Sequence, residues 1–316
     1  MNDPFLTKQI ITYMGNKRKL LKNIEDVIIS LKTKIKNSSG NKNKLIVMAD
    51  GFSGSGIVSR LLKKHCNQLY VNDLAGYSET LNKSYLDNPT SDTIMVLHTY
   101  INSANEYADH PNSVCNKWIQ KHWATDVNKV NILNNRMYFT MENAIRIDKY
   151  RYFIESIPNK YRHYLLAILL VKCSIHTNTN GQFAAYFKNG FGGEKGIDVK
   201  RITKKIVLEM PLFHQNKCNV TISRMDTNKW ATTIKNVDIV YYDPPYNKHP
   251  YHIYYFLLEI INDWDLSLNI PNTYRGQPKG WTRCKYNSVN KAKETFDDLI
   301  KNTDAKYILV SYNNNG

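Results

Sequence analysis

The sequence has little cysteine, and its spacing suits neither metal nor disulfide chemistry. The five cysteines are an odd number and lie far apart along 316 residues, with no CxxC pair and no clustered histidine partner: Cys66, Cys115, Cys173, Cys218 and Cys284. Zinc sites and disulfide frameworks need closer or paired cysteines. We therefore expect no metal site, and thiols that stay reduced.

Long apolar segments are also missing. No apolar signal stretch opens the chain, and no apolar run approaches the roughly 20 residues of a membrane span. We expect a soluble protein of a reducing compartment. Its length suits one large domain or a core that carries an inserted lobe.

Acidic residues are too few to balance the basic ones. Lysine and arginine number 43 against 27 acids, a formal net charge of +16. Such an excess attracts a polyanion, and nucleic acid is the commonest one, because each neutralised phosphate releases condensed counterions. A lysine- and asparagine-rich proteome would give the same composition, so charge alone leaves both interpretations open.

Short apolar runs predict a parallel sheet. "KLIVMAD" (44–50) is followed by the glycine loop "GFSGSG", by the helical spacing of "IVSRLLKKH", and by a second apolar run, "QLYVND" (68–73). This order is a βαβ unit. Three more buried strands are expected at 219–226, 237–243 and 306–312.

The middle of the chain predicts an inserted, mainly helical lobe. We place it at 86–205, which leaves 1–85 and 206–316 for the domain with the sheet. The lobe contains "NTNGQFAAYFKNGFGG" (178–193), whose glycines, aromatics and lysine suit nucleic-acid contacts, or an ordinary surface loop. The lysine-rich segment 32–44 is expected to be a linker.

The glycine loop predicts a nucleotide cofactor. Open α/β sheets bind nucleotides where it lies, and Gly51, Gly54 and Gly56 allow close approach of the backbone. Asp73, which ends the next strand, can accept hydrogen bonds from both hydroxyls of a ribose. The GxGxxG and GKS or GKT patterns are missing, which argues against nicotinamide dinucleotides and ATP. S-adenosylmethionine fits best, and a tight turn beside a solvated acid is the alternative.

"DPPY" (243–246) predicts amino-group chemistry. The prolines hold Asp243 and Pro244 in extended geometry. The Asp243 carboxylate and the Pro244 carbonyl can each accept one N–H of an exocyclic amino group, which aims its lone pair at a methyl donor. Tyr246 would stack on a base that has left the duplex. The alternative is a plain turn after a strand.

Together these motifs resemble the alpha group of DNA adenine-N6 methyltransferases, the Dam-like modification enzymes. "ITYMGNKRKLL" (10–21) resembles the N-terminal motif of that family, "DGFSGSG" its cofactor loop, "DPPY" its catalytic tetrad and "ILVSYNN" a late core strand. The order of loop, lobe and tetrad is specific to the group.

The resemblance implies a Rossmann-like α/β methyltransferase sheet with a target-recognition lobe. It implies site-specific methylation of adenine N6 in double-stranded DNA with base flipping, in a restriction–modification system of a bacterial-type cytoplasm, near the nucleoid. The implied catalytic residues are Asp243, Pro244, Pro245 and Tyr246. The implied cofactor-binding residues are Tyr13, Lys17, Asp50, Phe52, Ser53, Gly54, Ser55, Gly56, Asp73 and Asp226. The residues expected to bind DNA are Asn178, Lys188, Lys200 and Arg201.

One departure from the family keeps alternatives open. The family usually continues beyond the position of Gly316, and an end at this point would leave a sheet edge unpaired. A second chain or a dimer partner would then complete the sheet. The alternatives are a catalytically incomplete DNA-binding subunit and an enzyme that methylates RNA or a protein amide.

Overall fold

A five-stranded parallel sheet with helices on both faces forms the centre of the protein. The computed structural model describes residues 3–125, 136–245, 250–280 and 284–312. The strands are β1 (Val47–Asp50), β2 (Gln68–Asp73), β3 (Ala124–Thr125), β4 (Phe139–Thr140), β5 (Asn219–Arg224), β6 (Val237–Tyr242) and β7 (Ala305–Val310). The helices are α1 (Pro4–Thr7), α2 (Leu21–Ser38), α3 (Ile57–Lys63), α4 (Gly76–Tyr85), α5 (Ser91–Asp109), α6 (Trp118–Trp123), α7 (Met141–Ser156), α8 (Asn159–Ile175), α9 (Val199–Thr203), α10 (Thr227–Ala231), α11 (Tyr251–Asp263) and α12 (Val289–Asn302).

The strand order places β1 and β6 side by side at the centre. The order is β5-β2-β1-β6-β7, and every neighbouring pair is parallel. The chain first builds outward from β1 through β2 to β5, and then crosses back to add β6 and β7 on the other side. This reversal is the topological switch point at which open α/β sheets bind ligands. All five predicted strands form, and the predicted fold class is confirmed.

Apolar side chains that alternate between the two faces of the sheet along the central strand β6 explain why both faces are covered. In β6, Ile239 and Tyr241 join one hydrophobic cluster, whereas Val240 and Tyr242 join another. Successive side chains of a strand point to opposite faces, so each face has its own core. The larger cluster continues without a break into the buried face of α8 in the middle of the chain.

The middle of the chain is mainly helical, as predicted. Helices α5 to α9 and the short parallel pair of β3 and β4 all fall within 86–205. Helix α8 packs on α4, which directly follows β2, and on α11. The domain boundaries at 86 and 205 stay a prediction.

The linker prediction was wrong for residues 32–38, which form the last two turns of α2. Ile24, Ile28 and Ile35 are all buried and lie four and seven residues apart, on one face of the helix. The isoleucine at 35 keeps a lysine-rich stretch helical because its burial anchors the last turns. In the described part of the chain, no helix is long and apolar enough to cross a membrane.

Candidate active site

A cavity of about 520 Å³ lies at the carboxyl ends of β1, β2 and β6. Its walls combine the segment before α2, the glycine loop, the acid after β2 and the start of α11. The predicted site residues that line it are Tyr13, Lys17, Phe52, Ser53, Gly54, Ser55, Asp73, Asp226, Asp243 and Pro245. The cavity thus occupies the switch point between β1 and β6.

The glycine loop is tied to the strands on either side of β1. The amide of Gly51 donates to the Tyr241 carbonyl at 3.1 Å, and the amide of Ser53 donates to the Asn72 carbonyl at 3.1 Å. Gly54 has φ +50, and a Cβ there would lie 2.7 Å from the ring of Tyr13. Glycine at this position therefore keeps the loop and the tyrosine wall from colliding.

Asp73 is anchored by backbone amides at the cavity wall. Its Oδ2 accepts from the amide of Gly54 at 2.7 Å, and its Oδ1 accepts from the amide of Ala75 at 2.9 Å. Burial raises the pKa of this carboxyl, and the hydrogen bonds oppose that rise. Each carboxylate oxygen keeps further acceptor capacity for a ligand hydroxyl.

Asp226 has a structural role at the start of α10. It is the N-cap of α10, and its Oδ1 accepts from the amide of Lys229 at 3.2 Å. It also lines the cavity. The predicted contact with a cofactor adenine stays a prediction.

Asp50 and Gly56 are not among the residues that line the cavity, and their contact with a cofactor stays a prediction. Asp50 is fully buried, and its Oδ2 accepts from the Ser59 hydroxyl at 2.6 Å. Burial raises the pKa of Asp50 to about 7. A Cβ on Gly56, at φ +76, would lie 2.8 Å from Oδ1 of Asn82. Both residues shape the loop from the inside.

Asp243 pairs with Lys17 and keeps one carboxylate oxygen unused. The Lys17 ammonium lies 2.8 Å from Oδ2, and it also donates to the Gly15 carbonyl at 2.9 Å. Burial raises the pKa of Asp243 to about 6, and the charge of Lys17 opposes that rise. Oδ1 is buried and accepts no hydrogen bond from the described residues. The site thus holds an acceptor with a free lone pair beside a fixed cation.

The remaining tetrad positions are only partly described. Pro245 lines the cavity, whereas Pro244 is buried and is not among the residues that line it. Tyr246 lies outside the described residues, so its stacking on a base stays a prediction.

A stack of tyrosines that the sequence analysis missed forms one wall. The ring of Tyr13 stacks on Tyr255 at 4.6 Å between centroids and on Tyr251 at 5.3 Å. The Tyr255 hydroxyl accepts from the amide of Met14 at 2.6 Å. The two tyrosines lie four residues apart just after "DPPY", a spacing that puts them on one helical face.

A buried acid that the analysis also missed links α11 to α4. Glu259 accepts from the amides of Gly76 at 2.9 Å and Tyr77 at 3.1 Å, where α4 begins. Arg224 donates to the same carboxylate at 2.6 Å. A lone acid inside an apolar helix signals a buried partner.

Asn178 is buried inside the 178–193 loop, and its contact with DNA stays a prediction. Its Nδ2 donates to the carbonyls of Met137 at 2.9 Å and Phe187 at 3.2 Å, and its Oδ1 accepts from the amide of Gly192 at 2.9 Å. With its amide group committed to backbone partners, Asn178 holds the two ends of the loop together.

Arg201 also braces this loop. Its guanidinium donates to the carbonyls of Thr177 at 3.0 Å and Thr179 at 3.1 Å, and its contact with DNA stays a prediction. Lys188 and Lys200 are exposed, and their contacts with DNA stay predictions.

The loop packs directly against two walls of the cavity. The amide of Phe183 donates to the Tyr254 carbonyl in α11 at 2.7 Å. A Cβ on Gly181 would lie 2.1 Å from Cγ2 of Thr12, the residue before Tyr13. The predicted nucleic-acid loop and the cavity therefore form one continuous region.

The sheet order, the glycine loop and the Asp-Pro-Pro end of β6 at one cleft define a Rossmann-like methyltransferase core. The family model for D12 class N6 adenine-specific DNA methyltransferases matches residues 13–313. The chain belongs to this family. The predicted enzyme class, an adenine-specific DNA methyltransferase, is confirmed.

Curated relatives agree with the family. The type II methyltransferase M.NlaIII of Neisseria lactamica is 31% identical over 97% of this chain and 84% of its own length. M.FokI of Planomicrobium okeanokoites and the modification methylase LlaI of Lactococcus lactis subsp. lactis are each 29% identical over 96% of this chain. The chain spans 44% and 46% of those two proteins.

Replacing Lys17 with methionine should raise the pKa of Asp243 above about 6, because the cation that opposes burial is removed. The measurement is the ¹³C carboxyl titration of aspartate-labelled protein, with the Asp243 signal assigned by its loss in Asp243→Asn. Lys22→Met, which breaks the exposed pair with Asp26, is the control and should leave the Asp243 titration unchanged. An unchanged or lower midpoint in Lys17→Met would contradict the assigned coupling.

Proposed function

We propose that this chain transfers a methyl group from S-adenosylmethionine to the N6 amino group of an adenine flipped out of duplex DNA, as the modification enzyme of a restriction–modification system. The observation that carries the proposal is the buried, unused Oδ1 of Asp243 beside Lys17, on the wall of a cavity shared with the glycine loop. The family match supplies the reaction class.

The residues at the loop fit this cofactor. When bound, S-adenosylmethionine supplies an electrophilic methyl group on a sulfonium. Gly54 leaves open the space that a Cβ would fill, and Asp73 offers acceptors for ribose hydroxyls at the cavity wall. Phe52 adds an apolar wall, with its ring edge-on to Tyr286 at 5.2 Å.

Asp243 orients the nucleophile. Its Oδ1 accepts one N–H of the adenine amino group, and the Pro244 carbonyl accepts the other, so that the nitrogen lone pair turns out of the ring plane. The negative charge of Asp243 stabilises the positive charge that develops on that nitrogen. Lys17 keeps the carboxylate ionised near neutral pH, and Oδ1 can then take the proton that the nitrogen releases.

The target base reaches this cavity by leaving the helix, at a cost of a few kcal/mol. Tyr246 would offset part of that cost by stacking on the base. The segment 86–205 serves as the target-recognition lobe, since its 178–193 loop packs against the cavity walls. The names of the relatives, type II methyltransferase and modification methylase, support the role in modification.

A second candidate is a DNA-binding subunit that needs a partner chain for activity. Within the described residues, β7 pairs with β6 on one side, and its other edge is unpaired. A second chain or a dimer partner at that edge would extend the sheet. Full turnover by this chain in isolation would eliminate the second candidate.

Asp243→Ala should lower kcat on the order of 100-fold or more, because the acceptor that stabilises the developing charge is lost. Labelled methyl transfer to DNA measures the rate, and equilibrium dialysis measures cofactor affinity, which should persist. Asp26→Ala, which removes an exposed carboxylate on α2, is the matched control. Unimpaired transfer by Asp243→Ala would overturn the mechanism.

Gly54→Ala should weaken cofactor binding about tenfold or more, since the added Cβ would push the Tyr13 ring into the cavity. Gly40→Ala is the control: it has φ +65 with nothing within 4 Å of its Cβ, so it carries a similar backbone cost of roughly 1–2 kcal/mol without the collision. Isothermal titration calorimetry compares the two. Equal cofactor affinities would place the cofactor away from this loop.

A further inference from the structure

Residues 271–280, here called the rim segment, are held by hydrogen bonds from residues within 86–205. Arg136 donates through Nη2 to the Pro271 carbonyl at 2.7 Å and through Nε to the Thr273 carbonyl at 3.0 Å. Its third guanidinium nitrogen donates to the His122 carbonyl at the end of α6, at 3.2 Å. The backbone of the rim segment is therefore fixed to the lobe.

Another hydrogen bond holds the middle of the rim segment. The indole Nε1 of Trp123 donates to the Arg275 carbonyl at 3.2 Å. Gly276 has φ +61, and a Cβ there would lie 2.7 Å from the Arg136 guanidinium. The backbone of Arg275 is thus held in place while its side chain is exposed.

The other end of the rim segment reaches the cavity. Gln277 donates through Nε2 to the His252 carbonyl at 3.4 Å, and both His252 and Gly280 line the cavity. The rim segment therefore connects residues within 86–205 to the wall of the candidate active site.

The outer surface of the rim segment is cationic and aromatic. It contains no aspartate or glutamate, and Arg275 and Lys279 are exposed. Tyr274 is 44% exposed, stacks on Tyr186 at 4.7 Å, and has the ammonium of Lys188 at 5.1 Å from its ring centroid. Within the part of the chain that the structure describes, no carboxylate lies in ion-pair contact with Arg275.

These features suit a phosphate of the DNA backbone. A planar guanidinium can bind phosphate oxygens with two hydrogen bonds, and an arginine without an acidic partner loses no ion pair when it does so. Because hydrogen bonds already hold its backbone, the rim segment loses less conformational entropy when it binds. Surfaces that bind nucleic acid commonly combine cationic side chains with aromatic rings.

We propose that the rim segment is a DNA-backbone contact in which Arg275, together with Lys188 over the neighbouring Tyr274 ring, binds the phosphates next to the target nucleotide and so holds the duplex over the cavity. This inference rests on the proposed function and extends the DNA-binding surface beyond the predicted lobe at 86–205. Because phosphates carry no sequence, the contact positions the duplex without reading bases.

The test compares Arg275→Ala and Arg275→Lys with the wild-type chain and with Lys34→Ala. Lys34 is an exposed cation near the end of α2 and is not among the residues that line the cavity. Fluorescence anisotropy with a labelled mixed-sequence DNA duplex gives the affinity over a series of salt concentrations. Thermal unfolding shows that each variant is folded.

Arg275→Ala should weaken binding about three- to tenfold and reduce the slope of log affinity against log salt by about 0.9, the loss of one phosphate contact. Arg275→Lys should keep most of the slope, and Lys34→Ala should match the wild type. Wild-type affinity and slope in Arg275→Ala would overturn the inference, and so would a weaker affinity with an unchanged slope. If the wild-type chain itself binds no duplex, the proposed function fails together with the inference.

Discussion

The parallel pairing of β1 with β6 is the constraint on which the candidate site depends. These strands are almost 190 residues apart in the chain, yet Asp50 lies opposite Tyr241 in the sheet. The hydrogen bond from the Gly51 amide to the Tyr241 carbonyl continues the pairing past the end of β1. The residues that follow, the glycine loop on one strand and Asp243 on the other, must therefore share one edge. Without this register, the loop and the acid would not meet in one cavity.

Three buried carboxylates at that edge differ in the groups that stabilise their ionised form. The pKa values of Asp50, Asp73 and Asp243 are all raised, mainly by burial. Asp50 is stabilised by a hydroxyl and Asp73 by backbone amides, whereas Asp243 has a lysine ammonium at 2.8 Å. A full positive charge favours the ionised acid more strongly than neutral donors do. The same edge thus holds two acids that organise the loop and one that can act on a substrate.

Local sequence patterns predict the elements whose structure they determine by themselves. Apolar strands followed by glycine or an acid predicted the sheet and the part of the cavity wall at the strand ends, because side chains after parallel strands meet at one edge. Such patterns do not reveal burial that depends on partners distant in the chain. Asn178 belongs to a loop with the composition of an exposed nucleic-acid contact, but the backbone carbonyl of Met137, 41 residues away, holds its side chain inside. The pair of Glu259 and Arg224 joins a helix to a strand, and no local spacing predicts such a contact.

The central claim is that the free oxygen of Asp243 accepts the amino group that is methylated. The most direct measurement is a crystal structure of the chain with S-adenosylhomocysteine and a duplex that carries its methylation site. The account predicts an extruded adenine whose N6 lies about 3 Å from Oδ1 of Asp243, within hydrogen-bonding distance. An adenine bound with its N6 on other residues, and Asp243 still facing Lys17 without contact to the base, would contradict it.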